Sequence, residues 1–313
     1  MIEYFITEHS KVESLPGVKP GCWVKMTAPS EEEIAAVATR LRVDDHDIRA
    51  AIDPEETTRI ELPEGYTLIV IDIPVLERRH EQEFYGTGSL GILLTEDAIV
   101  TVCNEDTQVL KGFLQEKISD FSTKKKLRFV YQIMLENATL FQSRLREIDK
   151  RRRAIEEFIG DKTDQQDLIE LHDLESSLVY FDTALRADGN VLERLTRYER
   201  IPQYPDDKDL LSDVIIENQQ AVEMTEIYRG IIDGTRELMS TILDQHLNNV
   251  MKVLTSITLI LAIPTVVSGL YGMNVLTKFM PLAETPHGFA IICVITAGLC
   301  LLAIPILKKM KML

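Results

Sequence analysis

Two apolar runs close the chain. The first, Val253 to Leu270, leads into Tyr271-Gly272-Met273-Asn274, and no charged residue falls between Val253 and Thr277. The second, Phe289 to Leu307, is followed by Lys308, Lys309 and Lys311. A helix needs roughly 20 apolar residues to cross a bilayer, and both runs come close to that length. Everything upstream is patterned differently, with short strand-like runs first and long helical periods after them.

Ile2–Thr7 and Cys22–Met26 read as strands, separated by a Pro/Gly loop. Ser30 and Glu33 form a capping box ahead of a helix that sets Ile34, Val37 and Leu41 on one face. Asp44-Asp45-His46-Asp47 opens a shorter helix, with acids where the dipole favours them. Thr57–Leu62, Tyr66–Leu76, Phe84–Leu94 and Ile99–Cys103 read as strands, with turns at Pro63-Glu64-Gly65 and Thr95-Glu96-Asp97. Residues 1–122 are therefore expected to form an α/β domain with a mostly meandering sheet. Gly86-Thr87-Gly88 lacks the rest of a phosphate-binding pattern and reads as a turn.

From Lys124 the period is helical. Leu127, Val130, Met134, Ala138, Phe141, Leu145 and Ile148 keep a 3–4 spacing. Leu127–Phe158 and Leu168–Tyr198 are expected as an antiparallel pair within residues 123–200, turning at Asp161–Asp164. Pro202 and Pro205 interrupt the pattern, and Asp206 starts a helix that nothing stops until the first apolar run ends. At 1.5 Å per residue it would run roughly 100 Å. Leu210, Val214, Ala221, Met224, Tyr228, Ile231, Leu238 and Ile242 alternate by four and three, with Glu217 and Thr235 out of character. Such a seam calls for partner helices. Gly230 and Gly234 mark either a bend or a close approach. Residues 201–252 thus form a stalk, and residues 253–313 a transmembrane hairpin with a basic tail. The fold class is an α+β membrane protein, its stalk helix continuing into the first of two C-terminal spans.

The net charge of −16 makes nucleic acid an improbable partner and cations natural ones. Cys22, Cys103, Cys293 and Cys300 show no ligand spacing and read as small apolar residues in a reducing compartment. Arg144, Arg146 and Lys150 to Arg153 form a basic cluster, read as a solvated face that pairs with acids. No nucleophile–base set or phosphate loop suggests an enzyme. The N-terminus lacks the pattern of a signal peptide, so the polar part is expected in the cytosol. Lys252 before the first span and the lysines after the second place both termini inside the cell.

Two helices cannot enclose a pore, so conduction needs several copies around one axis. Asn248, Met251, Thr255, Thr258, Ala262, Thr265 and Gly269 recur at alternating intervals of three and four, a small or weakly polar stripe. Ordinary helix packing in lipid produces the same kind of stripe. As a pore lining it suits Mg²⁺, which sheds its water reluctantly. Hydroxyls, carbonyls and an Asn ring hold the water shell weakly at several places, as conduction requires. Met251 and Leu254 would form a hydrophobic constriction near the inner end.

Pro264-Thr265, Gly269 and Tyr271-Gly272-Met273-Asn274, with Asn248-Asn249-Val250-Met251-Lys252-Val253-Leu254-Thr255 before them, resemble the CorA family of divalent-cation transporters. The layout of the whole chain is similar too. The resemblance implies a funnel-shaped homopentamer embedded in membrane lipid, with Gly272, Met273 and Asn274 as selectivity filter at the outer mouth. It carries pore positions to Asn248, Met251, Leu254, Thr265, Gly269 and Asn274, and a basic ring to Lys308, Lys309 and Lys311. Ala262 stands where the family often has Met, which puts a constriction there in doubt. Met280-Pro281-Leu282 lacks the Glu that often follows the proline, and Glu284 is a substitute.

The family also closes when cytosolic Mg²⁺ binds between subunits, which makes Mg²⁺ both cargo and regulator. Asp206, Asp209, Asp213 and Glu217 share a helical face, and acids four apart repel unless neutralised. A regulatory cation is expected at Asp213, with Asp209 and Glu217 nearby. An acid from a neighbouring α/β domain would complete it, from among Asp44, Asp45, Asp47, Asp53, Glu55 and Glu56. A solvated acidic stalk is the alternative. The transported ion is expected to be Mg²⁺ with Co²⁺ or Ni²⁺ as companions; Zn²⁺ transport and a sensor without flux are the other readings.

Overall fold

The computed structural model describes all residues except 10, 54–55, 80–81, 158–164, 202, 277–279, 283–284 and 313. Its described residues fall into two units, residues 1–157 with 165–236, and residues 237–313. The expected turn at Asp161–Asp164 lies outside them.

The first unit is built on a seven-stranded sheet. Its strands are β1 (Ile2–Glu8), β2 (Lys11–Leu15), β3 (Cys22–Thr27), β4 (Arg59–Glu61), β5 (Thr67–Arg79), β6 (Gln82–Leu94) and β7 (Ala98–Cys103). The order is β2-β1-β3-β7-β6-β5-β4, antiparallel throughout except where β3 lies parallel to β7. The run from β4 to β7 is the expected meander. Two elements escaped the sequence reading. β2 is a charged edge strand, Lys-Val-Glu-Ser-Leu, where a loop was expected. The short helix α3 (Gln108–Leu114) follows β7, capped by Thr107. Gly86 to Gly88 is not a turn: these residues lie inside β6, opposite Val75 to Ile73 of β5.

Both sheet faces are covered, which explains why Cys22 to Met26 is buried at every position instead of alternating. Over one face α1 (Glu31–Leu41) and α2 (Asp45–Ala50) pack Ile34, Val37 and Ile48 against Val24, Val70 and Val100. The Ser30–Glu33 capping box forms as expected, and Asp44 caps α2. Over the other face lie α3, α4 (Lys126–Glu157), α5 (Gln165–Thr196) and the start of α6 (Pro205–Tyr271). Trp23 centres this side: Phe113, Phe121 and Phe129 stand edge-on to it, and its indole N–H donates to Thr101 Oγ1 at 2.9 Å.

α6 begins with Pro205 in the first turn, where its missing N–H removes no helical bond. Asp207 is buried; its Oδ2 accepts from the Tyr204 N–H at 3.2 Å, and its Oδ1 from Arg128 Nε at 2.6 Å. The buried seam of α6 runs through Leu211, Val214, Asn218, Ala221, Thr225, Ile232 and Thr235. Alternate members sit one residue later than the apolar pattern placed them. Asn218 accounts for part of the shift, because its amide donates to the Leu185 carbonyl at 3.0 Å, so a polar residue occupies the seam. Ile216, Ile227, Ile231 and Leu238 are left exposed. A Cβ added at Gly230 or Gly234 would meet nothing within 4 Å, so packing inside one chain does not require either glycine.

Between sheet and helices sits a buried acid. Asp188, 2% exposed, accepts from the Asp72 N–H at 3.1 Å and from Asn137 Nδ2 at 3.0 Å. Burial, with the nearby Asp72 carboxylate, pushes its pKa well above the usual range. Folded Asp188 keeps its proton where an unfolded carboxyl, with a pKa near about 4, has lost it. The folded state then binds more protons, so stability falls as pH rises through that window. Asp188→Asn removes this dependence. Its melting temperature relative to the parent should rise between about pH 4 and 7; a constant difference would refute the protonated carboxyl. A second prediction concerns Gly91, where an added Cβ would lie 2.2 Å from Ala51 Cβ. Gly91→Ala should cost about 1–3 kcal/mol in thermal unfolding. Combining it with Ala51→Gly should recover part of the loss.

Candidate functional site

The apolar end of α6 forms a hairpin with α7 (Gly288–Lys309). Two contacts fix which face of α6 turns inward. Ser256 Oγ bonds the Met312 carbonyl at 2.8 Å, and Cys300 Sγ donates to the Ile260 carbonyl at 3.8 Å. Lys252, Ser256, Ile260, Ile263 and Val267 are the shielded positions, spaced by four and three along this face. Pro264 explains the thiol contact. The Ile260 carbonyl would normally accept from the N–H four residues on, and Pro264 has none. In hydrocarbon an unmatched carbonyl is costly. Cys300 supplies the donor, a role the expectation of a small apolar residue missed. The signal was available: a proline in one span and a weak donor in the other.

The small-residue stripe lies on a different face. At 100° per residue, Thr255, Thr258, Ala262, Thr265 and Gly269 average roughly 140° from the centre of the shielded face. All five are exposed in the single chain, as are Asn248, Met251 and Leu254. Packing within the hairpin therefore does not account for the stripe. Its threonines are oriented by their own helix. Thr255 donates to the Met251 carbonyl at 2.8 Å, Thr258 to Leu254 at 2.9 Å and Thr265 to Leu261 at 3.0 Å. Each hydroxyl proton is thereby occupied, and the lone pairs of each oxygen remain as acceptors. Such a row attracts donors, and the water shell of a cation consists of outward-pointing O–H donors.

α6 ends at Tyr271, with the Gly272 N–H on the Ser268 carbonyl at 2.9 Å and the Met273 N–H on Leu270 at 3.4 Å. Met273 and Asn274 are exposed beyond the helix end, and the Asn274 side chain has no hydrogen-bond partner among the described residues. The Tyr271 hydroxyl donates to the Pro281 carbonyl at 2.8 Å, tying the link to the helix end. Glu284 lies outside the described residues. At the opposite end of the hairpin, Lys308 and Lys309 occupy the last turn of α7, where cations complement the helix dipole, and Lys311 follows; all three are exposed.

The acids of the stalk are not gathered into a ligand set by one chain. Asp209 and Asp213 are exposed, whereas Glu217 Oε2 accepts from Gln142 Nε2 at 2.7 Å. Among the described residues no three His, Cys, Asp or Glu side chains are placed to hold a metal. The suggested partners are largely engaged locally: Asp45 pairs with Arg49 at 2.6 Å, Asp47 accepts from Tyr66, and Glu56 pairs with Arg59. The basic cluster is likewise a paired face, with Arg144 on Glu147, Arg151 on Glu83, and both Arg152 and Arg153 on Asp149.

Comparison with known proteins places this architecture. The sequence matches the family described as CorA-like Mg²⁺ transporter protein over residues 19–309. It is similar to the cobalt/magnesium transport protein CorA of Methanocaldococcus jannaschii, 25% identical over 296 residues that cover 92% of this chain and 90% of that one. The corresponding protein of Thermotoga maritima is 21% identical, covering 84% and 74%. In fold, the chain matches the complete structure of the M. jannaschii CorA magnesium transporter with a TM-score of 0.82 at 21% identity, covering 98% and 96%. The full-length CmaX protein follows at 0.71 and 17%, covering 99% and 97%.

Replacing Cys300 tests the hairpin geometry. Cys300→Val should lower thermal stability in detergent by about 0.5–1 kcal/mol, the scale of a weak thiol bond. Cys300→Ser should keep it; equal losses in both variants would contradict the assigned donor role.

Proposed function

The chain belongs to the CorA-like Mg²⁺ transporter family, and we propose that it carries Mg²⁺ passively across a cell membrane along the stripe of α6. The observation that carries this reading is the stripe itself. It is turned away from α7, and its threonine oxygens present lone pairs. Copies arranged about an axis, five by resemblance to the family, bring these stripes together. The exposed Ile216, Ile227, Ile231 and Leu238 give the stalk an apolar face for the same association. Co²⁺ is a second cargo, since relatives are named for cobalt as well as magnesium.

Gly272, Met273 and Asn274 form the outer mouth, where the exposed Asn274 amide meets the water shell of the incoming ion. Membrane potential drives entry at about 2.3 kcal/mol per charge per 100 mV. For a divalent ion this exceeds a thousandfold bias in concentration. Both termini lie in the cytoplasm, and Lys308, Lys309 and Lys311 ring the inner end. A cytosolic Mg²⁺ at Asp213, completed by a neighbouring subunit, favours the closed state and makes uptake self-limiting by linkage. Glu217 already accepts a hydrogen bond from Gln142, which favours Asp213 and Asp209 over Glu217 as ligands in this reading.

Asn274→Ala should reduce Mg²⁺ uptake into proteoliposomes at least about tenfold at equal incorporation, a loss of roughly 1.4 kcal/mol in barrier terms. Full retained uptake would contradict the mouth assignment. Asp213→Ala should transport at normal initial rates and require more internal Mg²⁺ for half-inhibition; unchanged inhibition would remove this site.

A further inference from the structure

The first unit holds a cavity of about 560 Å³ remote in sequence from the apolar spans. It lies where the β6–β7 turn, the start of α4 and the approach to α6 meet. Five cations line it, Lys124, Lys125, Lys126, Arg128 and Arg200, against two carboxylates, Glu96 and Asp207. In a chain of net charge −16 this is a local reversal of sign.

The partners of these cations sharpen the point. Arg128 and Asp207 neutralise each other at 2.6 Å. Lys126 Nζ donates to backbone oxygens, Thr95 at 2.6 Å and Glu96, and forms no ion pair among the described residues. Burial lowers its pKa and outweighs the opposing pull of the nearby Asp97 and Glu96 carboxylates. Among the described residues Arg200 also donates to backbone alone, to Leu62 at 2.7 Å, Pro63 at 2.6 Å and Tyr66 at 2.8 Å. Those bonds use three of the five guanidinium N–H groups, leaving two donors. Lys125 stands 5.8 Å over the Tyr204 ring. Tyr66 and Tyr198 add further aromatic wall.

An excess of cations, two of them without a close ion pair among the described residues, stands beside aromatic rings in a cavity within the range of about 300–1,000 Å³ that small ligands occupy, and together these features define a ligand class. We propose that this cavity binds a phosphorylated small molecule of nucleotide size, its phosphates on Lys126, Arg200 and Lys124 and its ring against the tyrosines. Charge-assisted bonds from Lys and Arg are the strong bonds available to phosphate.

Calorimetric titration of the full chain in detergent tests this directly, and binding is read whether or not the chain transports. The probes are ATP, AMP, inorganic phosphate and adenosine, in chelator without Mg²⁺ so that the phosphates are uncomplexed. ATP should bind saturably, more tightly than AMP, and weaken with added salt. Lys126→Met with Arg200→Gln should weaken ATP binding at least about tenfold. Lys125→Ala, at a side chain whose one contact among the described residues is the Tyr204 ring, should weaken it several-fold without a folding defect. Tyr204→Ala should weaken ATP and leave inorganic phosphate unchanged. Absence of saturable ATP binding, adenosine binding as tightly as ATP, or wild-type affinity in the Lys125→Ala and double variants would each overturn the proposal. Inorganic phosphate matching ATP would refute the nucleotide-sized ligand.

Discussion

A doubly charged ion that holds its water tightly meets, in the hydrocarbon layer, neither water nor counter-charge. Moving even a single unpaired charge there costs tens of kcal/mol by solvation alone. The ion must therefore travel in a file of acceptors that contact its water shell, and two helices are too few to enclose one. On the proposed function, the hairpin meets that constraint. α6 shields Ser256, Ile260, Ile263 and Val267 against α7 and the tail that follows it, and leaves threonines, Ala262 and Gly269 elsewhere. The back-bonding of Thr255, Thr258 and Thr265 then fixes the polarity of the row, oxygen outward.

The same medium forbids loose backbone. Pro264 frees the Ile260 carbonyl in the middle of the span, and the Cys300 thiol covers it. Outside the membrane segment the helix is held by stronger means. Arg128, Asp207 and Pro205 fix its first turn against α4, and the apolar seam from Leu211 to Ile232 continues the hold. Removing one member of the Arg128–Asp207 pair would strand a buried charge, which generally costs about 3–5 kcal/mol. The first unit thus holds the opening turns of α6 by a buried ion pair and an apolar seam.

Much of this was legible from residue order, and the exceptions have causes. The capping box at Ser30, the apolar spans and the Tyr271 to Asn274 stretch are local signals, and local signals survive folding. β2 was missed because an edge strand needs only one partner and tolerates Lys11, Glu13 and Ser14. Gly86 and Gly88 looked like a turn because sequence does not show that Val75 and Glu77 crowd them from the next strand. The seam of α6 slipped by one residue on alternate turns because a buried Asn218, satisfied by a carbonyl on α5, looks polar and therefore exposed. The cavity beside Lys126 was invisible, since Arg200 and the tyrosines that wall it come from parts of the chain remote from the run Lys124 to Arg128.

The central claim is that one face of α6 borders the ion path while its neighbours do not. In a chain whose four native cysteines are replaced, with Ser at Cys300, Thr258→Cys and Ile257→Cys differ by one position and about 100° of helix. Mg²⁺ flux is measured with and without Cd²⁺, which a pore-facing thiolate binds. Block of Thr258→Cys with Ile257→Cys unaffected is the predicted result; block of Ile257→Cys alone, or of neither, would contradict it.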